Sequence, residues 1–236
     1  MGFAVLWDRL FQQPNYRQLR TVGDPPRGVL AMSPRRSPNG LTGFVLHADD
    51  EPDARELLAS VPAGLTFLHL TNETPHGLVR ARAARDGTKT AWLYALGPDD
   101  FQDLEAHETL PVPAEAAREI AETWSPDWSG AEAYVRGRIQ GGPSRAVFAD
   151  GRPAAWALTH FVTDRVAMLG FFHVRDAFRR KGYAKSAASA LVKDVLGLGK
   201  IPALHVFTDN EASLRLVERI GFRRVRLQVW GDALLR

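Results

Sequence analysis

One stretch of this chain combines residue types and spacing suited to holding a large anion. An apolar run, Val166 to Val174, leads into Arg175-Asp176-Ala177-Phe178-Arg179-Arg180-Lys181-Gly182-Tyr183-Ala184, and a helical pattern follows. A strand that turns into a helix exposes backbone N–H groups with no partner inside the helix, backed by the positive end of the helix dipole. Arg179, Arg180 and Lys181 add three cations, and Gly182 leaves out the Cβ that would hold a bulky anion at a distance. Together these features describe a pyrophosphate cradle. The stretch is neither a P-loop nor a dinucleotide fingerprint, because Gly-Lys-Ser/Thr and Gly-x-Gly-x-x-Gly are both absent. The short pattern Arg/Gln-x-x-Gly-x-Gly/Ala says little by itself. Its place between a strand and an amphipathic helix says more, as does the downstream segment Asp209-Asn210-Glu211-Ala212-Ser213-Leu214-Arg215-Leu216-Val217-Glu218-Arg219-Ile220-Gly221-Phe222.

These two segments resemble the GNAT superfamily of acyl-CoA-dependent N-acyltransferases. The first matches Val-x-x-x-(Tyr/Phe)-Arg-x-x-Gly-x-(Gly/Ala) at Val174, Phe178, Arg179, Gly182 and Ala184. The second matches Asn-x-x-(Ala/Ser)-x-x-Leu-(Tyr)-x-x-x-Gly-Phe at Asn210, Ser213, Leu216, Gly221 and Phe222. Upstream, Tyr134-Val135-Arg136, Pro143-Ser144, Gly151-Arg152-Pro153 and Trp156 look like the glycine N-acyltransferase-like branch. The resemblance covers 124–236 well and 90–123 loosely, and it reaches 1–89 only as a partner domain.

The resemblance implies a division of labour. Backbone amides from Arg180 through Lys181, Gly182 and Tyr183 to Ala184 would hold the pyrophosphate of acetyl-CoA or another acyl-CoA, with Arg179 and Lys181 adding charge. Phe172, His173 and Val174 would pair with the pantetheine arm and offer an N–H to the thioester oxygen, where negative charge develops when an amine attacks. Asn210 would bind the pantetheine chain; the alternative is a plain N-cap of the 211–220 helix, which the Gly-Phe that follows at 221–222 disfavours.

Two departures from the family pattern bear on catalysis. Val217 stands where many members carry a Tyr that protonates the departing thiolate, and Ser213 or a water is the substitute. The 166–174 run has no carboxylate to act as general base. His173, His160 and His205 are then the candidates, because an imidazole near pKa 6.5 suits removing a proton from an ammonium. Each could instead be a packed strand histidine.

Around these residues the pattern predicts three strands, 145–149, 154–162 and 166–174, joined by tight turns as an antiparallel meander. Helices are expected over 182–196 and 211–220, with strands over 202–208 and 222–230. Upstream, a strand over 90–96 precedes helices over 114–123 and 131–140. The first 88 residues mix short apolar runs with turn signals at Pro14, at Gly23 to Pro26 and from Ser33 to Gly40. Strands over 43–47 and 65–70 and a helix capped by Asp53 make this a small α/β unit. The expected fold is a GNAT-like mixed, mostly antiparallel sheet flanked by helices over 90–236, with an α/β domain over 1–89. No repeat of 20–50 residues is readable.

The 236 residues contain no cysteine, which excludes a disulfide scaffold, a thiolate metal site and a cysteinyl acyl-enzyme. No metal is expected, since His69 and His76 lack a third ligand. The early apolar run Phe3 to Trp7 is broken by Asp8 and Arg9, and no stretch is long and apolar enough to span a membrane. A cytoplasmic protein, monomer or homodimer, is expected. Residues 1–125 carry 12 Lys+Arg against 17 Asp+Glu, a net of −5, while 126–236 carry 18 against 10, a net of +8. The basic half lacks any helix-turn-helix, zinc-finger or RNP-type pattern, so a CoA anion is expected there rather than nucleic acid. The function implied is transfer of an acetyl or short acyl group from CoA to a small-molecule or peptide amine by direct attack. The alternative is a GNAT-fold protein that binds CoA without catalysis.

Overall fold

The structure, a computed structural model, describes residues 2–13, 15–33 and 41–236. The turn signals at Pro14 and over 34–40 lie outside the described residues. The chain divides into two compact units, one of Met1–Leu93, Val206–Asp209 and Val225–Arg236, the other of Tyr94–His205 and Asn210–Arg224.

The first unit contains α1 (Ala4–Phe11), β1 (Gln18–Val22), β2 (Gly28–Met32), β3 (Thr42–Ala48), α2 (Glu51–Leu58), β4 (Gly64–Leu70), α3 (His76–Arg82) and β5 (Ala83–Ala95). Strands β1, β2 and β3 form an antiparallel meander, and β4 lies parallel to β3 with Thr42 opposite Thr66. The last strand of the chain, β10 (Arg223–Leu235), pairs antiparallel with β4, from Val229 opposite Leu70 to Leu235 opposite Gly64. Leu30, Phe44, Leu46, Leu57, Leu58, Leu68 and Leu70 fill the core between this sheet and α2. Burying each such side chain contributes roughly 1.5–3 kcal/mol before chain entropy is counted.

The second unit contains α4 (Ala117–Trp124), α5 (Ala131–Gly141), β6 (Ser144–Ala149), β7 (Arg152–Val162), β8 (Val166–Val174), α6 (Tyr183–Gly197), β9 (Ile201–Phe207) and α7 (Glu211–Ile220). Strands β6, β7 and β8 form the expected antiparallel meander, and β9 lies parallel to β8. The expected mixed, mostly antiparallel sheet with flanking helices is what the chain forms. Ala117, Ile120, Ala121, Ala131 and Val135 of α4 and α5 pack on Trp156, Leu158 and Phe171 of the sheet. The continuous burial of β7 from Pro153 to Thr159 marks a strand covered on both faces, and the alanine-rich inner face of α6 lets helix and strand approach closely.

The order of elements repeats. In each unit three antiparallel strands are followed by a helix, a fourth strand parallel to the third, and a second helix. This repeat is one of topology.

Several local expectations need correction. The cap of α2 is Asp50, whose carboxylate accepts from Asp53 N–H at 2.9 Å; Asp53 itself binds Arg27 through both carboxylate oxygens, at 3.0 and 3.2 Å. Strand β5 begins at Ala83 and β10 runs on to Leu235, beyond the apolar runs that marked them. Helices α1 and α3 and strands β1 and β2 had no readable signal. Val79 is the only buried residue of α3, and four of the five residues of β1 are exposed. Among the described residues no helix is long and apolar enough to cross a membrane, and no group of three or more His, Asp or Glu could hold a metal.

Candidate active site

The second unit supplies every residue singled out for chemistry. Its strands part where the site begins. Strand β8 pairs with β9 only from Val166 opposite Ile201 to Leu169 opposite Leu204, and β8 then runs on to Val174. Just beyond the last pair the other edge of β8 is also irregular. Trp156 lies opposite His173 and Leu158 opposite Gly170, so Ala157 faces both Phe171 and Phe172 in a bulge. Phe171 takes φ +56°, a left-handed conformation rare for an aromatic residue and held only when its surroundings impose it. A second irregularity leaves His160 as the extra residue of β7, between the pairs Thr159–Leu169 and Phe161–Met168. Bulges re-aim side chains and concentrate beside active sites.

The two bulged residues meet, with ring centroids of His160 and Phe171 4.3 Å apart. Trp124 of α4 packs on both, at 5.6 and 4.7 Å, and Tyr134 of α5 brings its hydroxyl to 3.3 Å from His160 Nδ1. The Cδ2 and Nε2 atoms of the His160 ring crowd Gly170, where a Cβ would come within 2.3 Å of them, so a larger residue there would have to displace the ring. Sequence reasoning proposed His160 without its partners. The bulges that bring Trp124, Tyr134 and Phe171 to it leave no pattern in the residues.

His173 sits at the other place of interest, on the part of β8 that β9 no longer covers. Its ring stacks on Trp156 at 4.7 Å. Burial, followed by the nearby Arg179 cation, lowers its pKa below the usual imidazole value, so the ring is neutral at pH 7 and able to accept a proton. Phe172 and Val174 are half-buried beside it. His205 lies within β9, half-buried, one residue beyond the last β8–β9 pair.

After β8 a short 3₁₀ turn, Asp176–Phe178, leads to Arg179, Arg180, Lys181 and Gly182. Arg180 takes φ +63° and Gly182 φ +85°, so two left-handed residues flank Lys181 and curl the backbone immediately before α6. Gly182 tolerates this freely and Arg180 does not. No side chain caps α6, so the N–H groups of Tyr183, Ala184 and Lys185 have no partner within the helix. Of the three cations, all exposed, Arg179 is paired with Asp176 at 2.7 Å and Lys181 lies 5.1 Å over the Phe178 ring. The arrangement can bind a phosphate-bearing anion through backbone and charge together.

Segment 101–112, an acidic loop in the sequence, runs along α6. Leu104 N–H donates to Ser189 Oγ at 3.1 Å, and Ala106 and His107 N–H both donate to Ser186 Oγ, at 3.0 and 3.2 Å. His107 Nε2 donates to the Lys181 carbonyl at 2.8 Å. Farther on, Leu110 pairs with Ala146 of β6.

Helix α7 begins at Asn210, whose side-chain oxygen accepts from Ser213 N–H at 3.1 Å. Asn210 is therefore an N-cap, and its NH₂ end is the donor that could hold a ligand carbonyl. Ser213 is half-buried one turn before Val217 on the same side of α7, and Val217 is fully buried. The position where a Tyr would donate a proton is thus filled by core packing.

Residues 149–231, which hold β7, β8, the cradle, α6, β9 and α7, match the family model described as FR47-like protein. The fold is similar to a GCN5-related N-acetyltransferase from Kribbella flavida, with TM-score 0.63 and 17% identity over 98% of this chain and 93% of that one. It is similar to a GCN5-related N-acetyltransferase-like protein from Streptococcus suis, with TM-score 0.59 and 17% identity over 98% of both chains. A Drosophila protein superposes with TM-score 0.67 and 16% identity over 88% of this chain and 74% of that one. No curated protein matches the sequence. The chain has the fold of the GCN5-related N-acetyltransferases.

Proposed function

We propose that the chain is an N-acyltransferase that takes an acetyl or short acyl group from acyl-CoA and passes it to an amine by direct attack in a ternary complex. One observation carries the proposal: β8 and β9 separate beyond Leu169 and Leu204, and the strand so uncovered leads straight to the uncapped, cation-flanked start of α6. An extended pantetheine arm could lie along Phe172–Val174 while the amides after Arg180 hold the pyrophosphate. Acyl-CoA, when bound, supplies the activated thioester carbonyl. A backbone N–H of the uncovered strand would face the oxygen that gains charge.

His173 is the general base in this reading, because it is neutral at pH 7 and lies on the uncovered strand. His160, with Nδ1 beside the Tyr134 hydroxyl, is the second candidate. Ser213 or a water protonates the thiolate, and even without an acid a thiol of pKa ~8.5 leaves at pH 7 at a cost of only about 2 kcal/mol. The narrower form of the proposal, the glycine N-acyltransferase-like branch, rests on Tyr134-Val135-Arg136, Gly151-Arg152-Pro153 and Trp156 alone. The N-terminal residues would contribute to choosing the acceptor.

A second reading is favoured by the burial of Val217 and the carboxylate-free β8: a CoA-binding protein without transfer. Thiol release from acetyl-CoA across a panel of amines separates the two. Repeatable turnover with any amine supports transfer. Binding of acetyl-CoA with no turnover across the panel supports the second reading.

A further inference from the structure

We infer that His107 is a positioning residue for the anion cradle, holding the Lys181 carbonyl so that the Gly182 N–H faces the pyrophosphate. The inference rests on the acyl-CoA reading above. In a trans peptide the C=O and the following N–H point in opposite directions. The bond of 2.8 Å from His107 Nε2 fixes the Lys181 oxygen on one side, so the Gly182 N–H projects to the other. A Cβ at Gly182 would lie 3.5 Å from Nε2, so ring and turn are in direct contact.

The turn needs such a tether. Arg180 and Gly182 are both left-handed, and a non-glycine residue stays so only when its surroundings over-determine it. His107 is itself well held. Its own N–H and that of Ala106 share Ser186 Oγ, and its ring stands edge-on to Tyr183 at 4.7 Å. Ser186 and Ser189 are completely buried in the middle of α6, where a hydroxyl needs a partner, and both partners come from this segment. Lys193, another turn along, binds Asp103 at 3.0 Å and also Glu105. A strap running beside α6 thus delivers one imidazole to the peptide unit at the heart of the cradle.

Two thioesters test this role: acetyl-CoA, and S-acetylpantetheine, which lacks the pyrophosphate. His107→Ala should weaken acetyl-CoA binding about tenfold by calorimetry, the scale of one well-aimed hydrogen bond to a charged group. Its kcat/KM with S-acetylpantetheine should stay within twofold of wild type. His107→Gln, whose amide N–H reaches a similar point, should recover most of the affinity. Should His107→Ala not fold, His107→Met keeps the bulk against Tyr183 without a donor and takes its place. The inference is overturned if the donor-free variant binds acetyl-CoA as wild type does, if both thioesters suffer equally, or if His107→Gln is no better. Wild-type protein that binds no acetyl-CoA overturns the underlying reading instead.

Discussion

The same station of the fold occurs twice in this chain with opposite chemistry. In both units a helix follows the third strand of a meander and leads to a strand parallel to it. Between β3 and α2 the turn is two residues, Asp49 and Asp50, and Glu51 and Asp53 follow in the first helical turn. Asp50 folds back to accept the Asp53 N–H, so the helix supplies its own anion. Between β8 and α6 the turn runs from Arg175 to Gly182, carries three successive cations and caps nothing. Topology alone therefore does not make a cofactor site. In the acyl-CoA reading the turn makes the difference, by leaving helix N–H groups open and lining the approach with positive charge.

The largest expected effect removes the open turn. Gly182→Val places a β-branched residue at φ +85° and a side chain where the anion would approach. Acetyl-CoA affinity should fall at least about a hundredfold, near 2.7 kcal/mol, while circular dichroism and melting show a folded protein. Retained affinity would remove the contrast between the two turns. His173→Ala should lower kcat/KM by about 10²-fold, the scale of general-base catalysis, with acetyl-CoA affinity little changed. The wild-type pH profile sharpens this assignment. Because the folded pKa of His173 lies below its ordinary value, activity should hold through neutrality and fall only as acid protonates the ring below pH ~6.5. A profile already falling above pH 7 contradicts it.

Smaller effects follow from charge and capping. Replacing Arg180 and Lys181 together by Ala should weaken acetyl-CoA roughly tenfold at low salt and much less at 0.5 M salt, since exposed charges are screened. An effect independent of salt would assign those side chains another role. The acidic turn makes the complementary prediction. Asp50→Ala should cost about 1 kcal/mol of stability through the lost cap and leave acetyl-CoA binding unchanged. Altered affinity would mean that the first turn also takes part.

The second unit was legible because its local signals agree. Continuous apolar runs, tight turns at Asp150-Gly151 and Thr163-Asp164-Arg165, and Gly182 before an alanine-rich face all specify the elements found. The first unit was only partly legible. Strand β1 is mostly exposed and β2 short, so neither shows the alternation that marks a half-buried strand. The cradle could be read because its chemistry is contiguous in the chain. The cluster of Trp124, Tyr134, His160 and Phe171 could not, since two bulges assemble it from four elements. His107 was invisible for the same reason: it lies 74 positions before Lys181, and only the packing of segment 101–112 on α6 brings them together.

Calorimetric titration of the whole chain with acetyl-CoA tests the contrast between the turns most directly. One basic open turn and one self-capped acidic turn predict a single site per chain whose affinity falls as salt is raised. No binding at high micromolar acetyl-CoA, or two equivalent sites per chain, would contradict it.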